Sequence, residues 1–367
     1  MRAVTVGRIR LPGLGAALLA AGLLAACSSA SGPGASSSAP PTRPVHLRDA
    51  RAAYVAFDSS SSRWRSYGRL WTSTILGADR RTLLPDGVET SWVAASGDGS
   101  TLVFDAFPAV RRDDQSGVAP SPTWWWVDGA GDSSPVPGMP TDLMALAVTG
   151  DGSAILVVAG QRRATSWPVE RIDLASGART TVCDACIRQP RPDLGTSGVQ
   201  LAVSDDGALL ATAAWSTSLA SGFYGQAHDT PSADRLLALP GASVVWRSDR
   251  LLCTPVSVSD DATLVRSCGT DELHTATLHE LVGATGASPA DRDTGIAAYA
   301  AGALPQGWWY ATQSVGDPNG SLAFHETTDL TPASSSLVAT WPGGVQIDDL
   351  VLSTVSSIRW TGPTPSS

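Results

Sequence analysis

Four times along the chain an apolar run is cut by a short acidic turn and resumes at once: SGDGSTLVF at 96–104, TGDGSAILVV at 149–158, SDDGALLAT at 204–212 and SDDATLV at 259–265. The aspartates that mark these turns, Asp98, Asp151, Asp206 and Asp261, lie 53, 55 and 55 residues apart. Asn319 and Asp49 extend the series at its two ends. Each turn is preceded by a short apolar strand (SWVAAS, LMALAVT, VQLAVS) and followed by another, and alternating segments such as TWWWVDG and VERIDLASGARTTV come later in the unit. This is a period-2 pattern punctuated by turn residues, with no long amphipathic helix. A unit of about 50 residues with four short strands cannot bury both faces of its sheet alone, so the units must stack around an axis. The pattern therefore predicts an all-β protein, a β-propeller of four-stranded antiparallel blades. Six blades are favoured and seven are the alternative, because GVQIDDLVLSTVSSIRW at 344–360 either closes the first blade by strand exchange or completes another.

The turns explain themselves locally. An Asp or Ser side chain accepts backbone hydrogen bonds within the turn, and Gly99, Gly152 and Gly207 relieve the cost of positive φ. Asp98, Asp151, Asp206 and Asp261 are thus structural turn residues, and a calcium-loop reading lacks the further oxygen ligands at defined offsets. With Ser96, Thr149, Ser204 and Ser259 opening them, these repeats resemble the Ser-Pro-Asp-Gly repeats of periplasmic propellers related to TolB. The family's Pro is replaced here by Gly97, Gly150, Asp205 and Asp260, and Ala262 stands for the last Gly. The resemblance spans roughly residues 45–360 and implies architecture, not a partner.

The N-terminal segment changes where such a propeller would work. Arg2, Arg8 and Arg10 precede the apolar run LPGLGAALLAAGLLAAC, too short and Gly-rich for a comfortable membrane span. Leu24-Ala25-Ala26-Cys27 resembles the lipobox of bacterial lipoproteins, which implies lipidation of Cys27 and attachment to the cell membrane on its extracytoplasmic side. The expected organisation is a signal peptide over 1–26, a Ser/Gly/Pro-rich tether over 27–44, and a single propeller domain over 45–367.

Charge narrows the partners. All 25 basic residues are Arg, against 34 acids and a net charge of −9. This balance excludes nucleic acid as the main partner, and the absence of Lys excludes Schiff-base or phosphate-loop lysine chemistry. Four cysteines besides Cys27 fit an exported protein. Cys253 and Cys268 flank a predicted hairpin turn and form an expected disulfide, whereas Cys183 and Cys186 in CDAC are a structural staple, a redox pair, free thiols or metal ligands.

No compact catalytic motif is present. The five histidines, His46, His228, His274, His279 and His325, have no HExxH spacing, and there is no GxSxG elbow or GxGxxG turn. No cofactor or metal is implied. Thirteen Trp stand against five Phe and five Tyr. Trp124 and Trp126 share one strand face and Trp125 takes the other. Most of these rings are expected between blades, while Trp309 and Tyr310 are candidates for lining a propeller face and stacking on a ligand. The reading preferred from sequence is noncatalytic recognition or scaffolding of an envelope protein or glycan. Its alternative is a secreted hydrolase acting on glycan or peptide, using carboxylates gathered from several blades.

Overall fold

The computed structural model describes residues 44, 46–57, 68–108, 121–160, 164–189, 198–215, 232–248, 253–269, 276–284, 286, 289–313, 320–343 and 346–363. Cys27, the leader, His228, His274 and Asn319 lie outside the described residues, as does the tether except for Pro44.

The strands group into six antiparallel sheets in chain order. The first blade holds β1 (Arg51–Phe57), β2 (Arg69–Thr74) and β3 (Arg81–Thr82). The second holds β4 (Val88–Glu89), β5 (Val93–Ala95), β6 (Leu102–Pro108), β7 (Thr123–Val127) and β8 (Ser133–Pro135). The third runs through β9 (Leu143–Val148), β10 (Ala154–Ala159), β11 (Ser166–Asp173) and β12 (Arg179–Arg188), and the fourth through β13 (Gly198–Val203), β14 (Leu209–Trp215), β15 (Ser232–Ala238) and β16 (Ser243–Ser248). The fifth comprises β17 (Cys253–Val258), β18 (Leu264–Gly269), β19 (Ala276–Val282) and β20 (Ala290–Ala297). The sixth comprises β21 (Ala300–Leu304), β22 (Gly307–Gln313), β23 (Leu322–Thr327) and β24 (Ser336–Trp341).

The last strand, β25 (Gln346–Leu352), returns to the first blade and pairs with β1, giving the order β25-β1-β2-β3. Strand exchange therefore settles the blade count at six. It also explains Asp49. That residue ends a short 3-10 turn (Leu47–Asp49) leading into the second strand of its blade, where other blades have an acidic hairpin, because the inner strand of blade one comes from the other end of the chain. In blade six the inner turn falls at Pro305-Gln306, between β21 and β22, so position 319 belongs to the next connection.

Beyond β25 the chain straps blade one to blade two. The Ser353 amide donates to the Arg51 carbonyl (2.8 Å), that of Thr354 to Gly99 (2.8 Å), and that of Arg359 to Gly131 (2.7 Å). Trp360 packs on Trp125 with ring centroids 4.5 Å apart.

Six apolar clusters, one for each pair of adjacent blades, form the core. Tyr54, Phe324 and Trp341 join blades six and one, which completes the ring. The alternation read from TWWWV holds: Trp125 enters the interface of blades one and two, while Trp124 and Trp126 pack toward blade three. In blade five Cys253 and Cys268 are directly opposite, with Cα atoms 4.1 Å apart, and are disulfide-bonded. Cys183 and Cys186 form a second disulfide, at a bulge of β12.

Candidate functional site: the axial channel

The inner strands β5, β9, β13, β17, β21 and β25 surround an axial cavity of about 870 Å³. Six strands converging on an axis leave room only for short side chains, and the wall is built largely from Ala and Val of sequences such as VAA, ALAV and AAGAL. Polar groups are interspersed: Gln200, Thr254, Tyr299 and several serines contribute uncharged ones, and Asp205 and Asp349 are the charged residues among the described lining.

The acidic turns join each inner strand to its neighbour and therefore gather at one mouth of the channel. They share one hydrogen-bond scheme. The Ser96 hydroxyl donates to Asp98 (2.6 Å), Thr149 to Asp151 (2.7 Å) and Ser204 to Asp206 (2.6 Å), and Ser259 to Asp261 likewise. The same carboxylates accept the backbone amides of Ser100, Ser153, Ala208 and Thr263 at 2.8–3.2 Å. Gly99, Gly152 and Gly207 have φ between 67° and 73°, and Ala262 takes 65° in the copy that lacks glycine. These contacts favour the charged form. The Ser204 hydroxyl, then the Ala208 amide, hold Asp206 below the ordinary carboxylate range, and the Ser259 hydroxyl does the same for Asp261. For Asp151 burial opposes ionisation, yet Thr149 and Ser153 together still lower it.

Neighbouring turns touch. The Asp98 amide donates to the Gly150 carbonyl (3.4 Å), and that of Asp206 to the Asp260 carboxylate (3.0 Å). A Cβ on Gly97 would fall 1.9 Å from the Asp205 carboxylate, and one on Gly150 would fall 2.1 Å from the Asp205 carbonyl. The departures from the Ser-Pro-Asp-Gly pattern are thus coupled: Asp205 reaches across the mouth, and blades two and three carry glycine where it arrives. Asp349 reaches the channel by another device. It is the extra residue of a bulge where β25 passes Tyr54 and Val55, has φ 31°, and accepts the Val93 amide at 3.3 Å.

Trp309 and Tyr310 lie inside the structure instead of on an end face, 4 % and 5 % exposed. Trp309 packs between blades six and one, against the backbone of Gly302, and backs the channel wall. Tyr310, on the opposite face of β22, packs against blade five and stacks on His325 at 4.7 Å. Burial lowers the His325 pKa, so its ring is held neutral. His46 meets Glu326 at 3.0 Å, and His279 lies 3.6 Å from Asp291 on an outer strand. No histidine is among the described residues that line the channel, and no group of three or more His, Cys, Asp or Glu among the described residues could hold a metal.

Sequence reasoning did not single out Asp349 or the inward reach of Asp205. It also passed over Asp105, a buried carboxylate that accepts the Thr90 hydroxyl (2.8 Å) and the amides of Ser91 (2.8 Å) and Trp92 (2.9 Å). Asp105 thereby stitches the break between β4 and β5, two pieces of one interrupted inner strand.

TolB from Acinetobacter baumannii superposes on 83 % of this chain with a TM-score of 0.53 and 14 % identity. The fold is TolB-like. This TolB-like propeller spans 66 % of the length of that TolB chain. It also aligns with a chain of the nidogen/laminin complex (TM-score 0.49, 9 % identity, 84 % of this chain and 99 % of that one). A further alignment is with the β-propeller domain of the trilobed protease from Pyrococcus furiosus (0.45, 11 %, 82 % and 84 %). No family model and no curated protein matches the sequence.

Proposed function

We propose that the protein is a noncatalytic recognition or scaffold lipoprotein of the cell envelope. In this reading residues 1–26 are a leader, Cys27 carries the lipid that holds the chain on the extracytoplasmic side of the membrane, and residues 27–44 tether the propeller. A protein or glycan is recognised through one propeller face. The observation that carries the reading is the channel itself: its described wall holds no histidine, its polar side chains are mostly uncharged, and Asp349 is engaged by a backbone amide. A rigid ring that holds loops at fixed positions lowers the ordering cost of binding through them. Trp309 enters as the backing of the channel wall, and Tyr310 as support behind it.

One observation favours a second reading, hydrolysis of glycan or peptide. Asp205 and Asp349 both line the channel, and a pair of carboxylates is the minimum set for glycoside hydrolysis. Asp349→Asn and Asp205→Asn separate the two readings: recognition without chemistry leaves any hydrolysis of envelope glycan or peptide at the background rate in both variants and in the parent. Turnover by the parent that either variant abolishes, with the fold intact by circular dichroism, establishes the hydrolase instead. For the anchor, intact-mass measurement of membrane-extracted protein is expected to show a chain beginning at Cys27 with a lipid adduct; a mature terminus elsewhere without an adduct contradicts it.

A further inference from the structure

At the perimeter, between blades three and four, lies a groove of about 490 Å³ lined by Arg188, Arg235, Val244, Val245, Trp246 and Arg247. Three arginines in one groove are unexpected in a chain of net charge −9. Arg235 and Arg247 are direct cross-strand partners on β15 and β16, a placement in which like charges repel. Arg188 faces them from the end of β12 in the next blade. Arg235 donates to the Cys186 carbonyl (3.2 Å), within the disulfide-closed bulge, and so spans the two blades. Arg188 and Arg247 are exposed, and neither forms an ion pair with another described residue.

We propose that this groove binds an extended acidic peptide segment, whose carboxylates are held by Arg188 and Arg247. Guanidinium groups match carboxylates through paired N–H donors, and a bound carboxylate removes the repulsion between Arg235 and Arg247. The neighbouring strand suits a peptide. β16 is the outermost strand of its sheet, so one of its edges has no strand partner among the described residues, and Val244 on it is 50 % exposed. Arg247 and Val244 share one face of the sheet, so an extended chain added to that edge meets the arginines with a carboxylate at one position and Val244 with an apolar side chain two positions away. A sugar is less well served, because the Trp246 ring packs on the other side of its blade, against the cluster shared with blade five, and carries the Arg266 guanidinium 4.8 Å from its centroid. The site is separate from the axial channel, so it stands or falls independently of the function proposed above.

The test is fluorescence anisotropy of the detergent-solubilised full chain with a labelled decapeptide in which Glu and Val take turns at every second position, separated by Ser, so that both kinds of side chain fall on one face. A Gln-for-Glu version of the peptide, a short oligogalacturonate and inorganic phosphate serve as comparisons. Saturable binding of the Glu peptide is expected, weakened at least tenfold by Arg188→Gln with Arg247→Gln, severalfold by Val244→Glu, and severalfold by raising salt from 50 to about 200 mM. Equal binding of the Gln peptide overturns carboxylate recognition. Undiminished binding by variants that keep the parent's circular dichroism places the site elsewhere and also overturns the proposal. Tighter binding of oligogalacturonate or phosphate than of the peptide overturns the ligand class, and no binding at about 1 mM peptide overturns the site.

Discussion

The axial channel and the perimeter groove are both made of strand residues, yet they differ in what their side chains are free to do. Around the axis six strands are forced together, Ala and Val are the commonest residues of the wall, and Asp349, its bulge-borne carboxylate, is engaged by the backbone. At the perimeter the blades splay apart, long side chains cross the gap, and Arg188 and Arg247 make no ion pair with a described residue. Ring geometry thus limits the chemistry of inner strands more than that of outer ones. The inner wall is expected to be costly to alter and the outer groove tolerant.

The largest effect expected is at the wall. Trp309→Ala removes a buried indole from the interface of blades six and one and is expected to destabilise the protein by about 3–5 kcal/mol in urea unfolding. A cost near zero would mean that the inner ring is not the constrained region. Next is Asp105→Ala, which leaves the Ser91 and Trp92 amides without their carboxylate acceptor; a loss of about 2–3 kcal/mol is expected by the same measurement.

Asp206→Ala is expected to cost about 1 kcal/mol near neutral pH, and the cost depends on pH. The folded pKa of Asp206 lies below its unfolded value, near 3.9, so the folded chain binds fewer protons through this range. The contribution is fully present above the unfolded pKa and is lost as pH falls through the lower folded pKa. The stability gap between Asp206→Ala and the parent should therefore close on acidification below about pH 4, in thermal melts taken across the acid limb. A gap that widens there would contradict the charged-turn account. The smallest effect is expected in the groove: Arg247→Ala should change stability by no more than about 0.5 kcal/mol, and in the stabilising direction at low salt, since it removes the repulsion with Arg235.

What was legible in the sequence follows the same division. The acidic turns are local, so Asp98, Asp151, Asp206 and Asp261 show the repeating unit in the sequence itself while leaving six or seven blades open, and the pairing of Cys253 with Cys268 follows from the hairpin between them. Closure by 344–360 was visible as one of two choices; only long-range pairing with β1 could decide it. Strand alternation assigned faces to Trp124, Trp125 and Trp126, but it does not say whether a face meets solvent or another blade, and for that reason Trp309 and Tyr310 were placed on an end face. Two of the features that sequence pattern does not show, the arginine groove and Asp349, depend on bulges. Folding ALPGAS as a regular hairpin sets Arg235 opposite Trp246, and the extra residue Val245 moves Arg247 into register instead. Asp349 likewise reaches the channel only because β25 is bulged.

The proposed recognition function is tested most directly by presenting fractionated envelope protein and glycan to the immobilised full chain and recording, in one experiment, both saturable retention and the mass of what is retained. Recognition by a rigid ring requires stoichiometric, reversible retention of a defined component that elutes with its mass unchanged. Continuous release of cleaved product from that component, abolished by Asp205→Asn or Asp349→Asn while the ring stays folded, would contradict it.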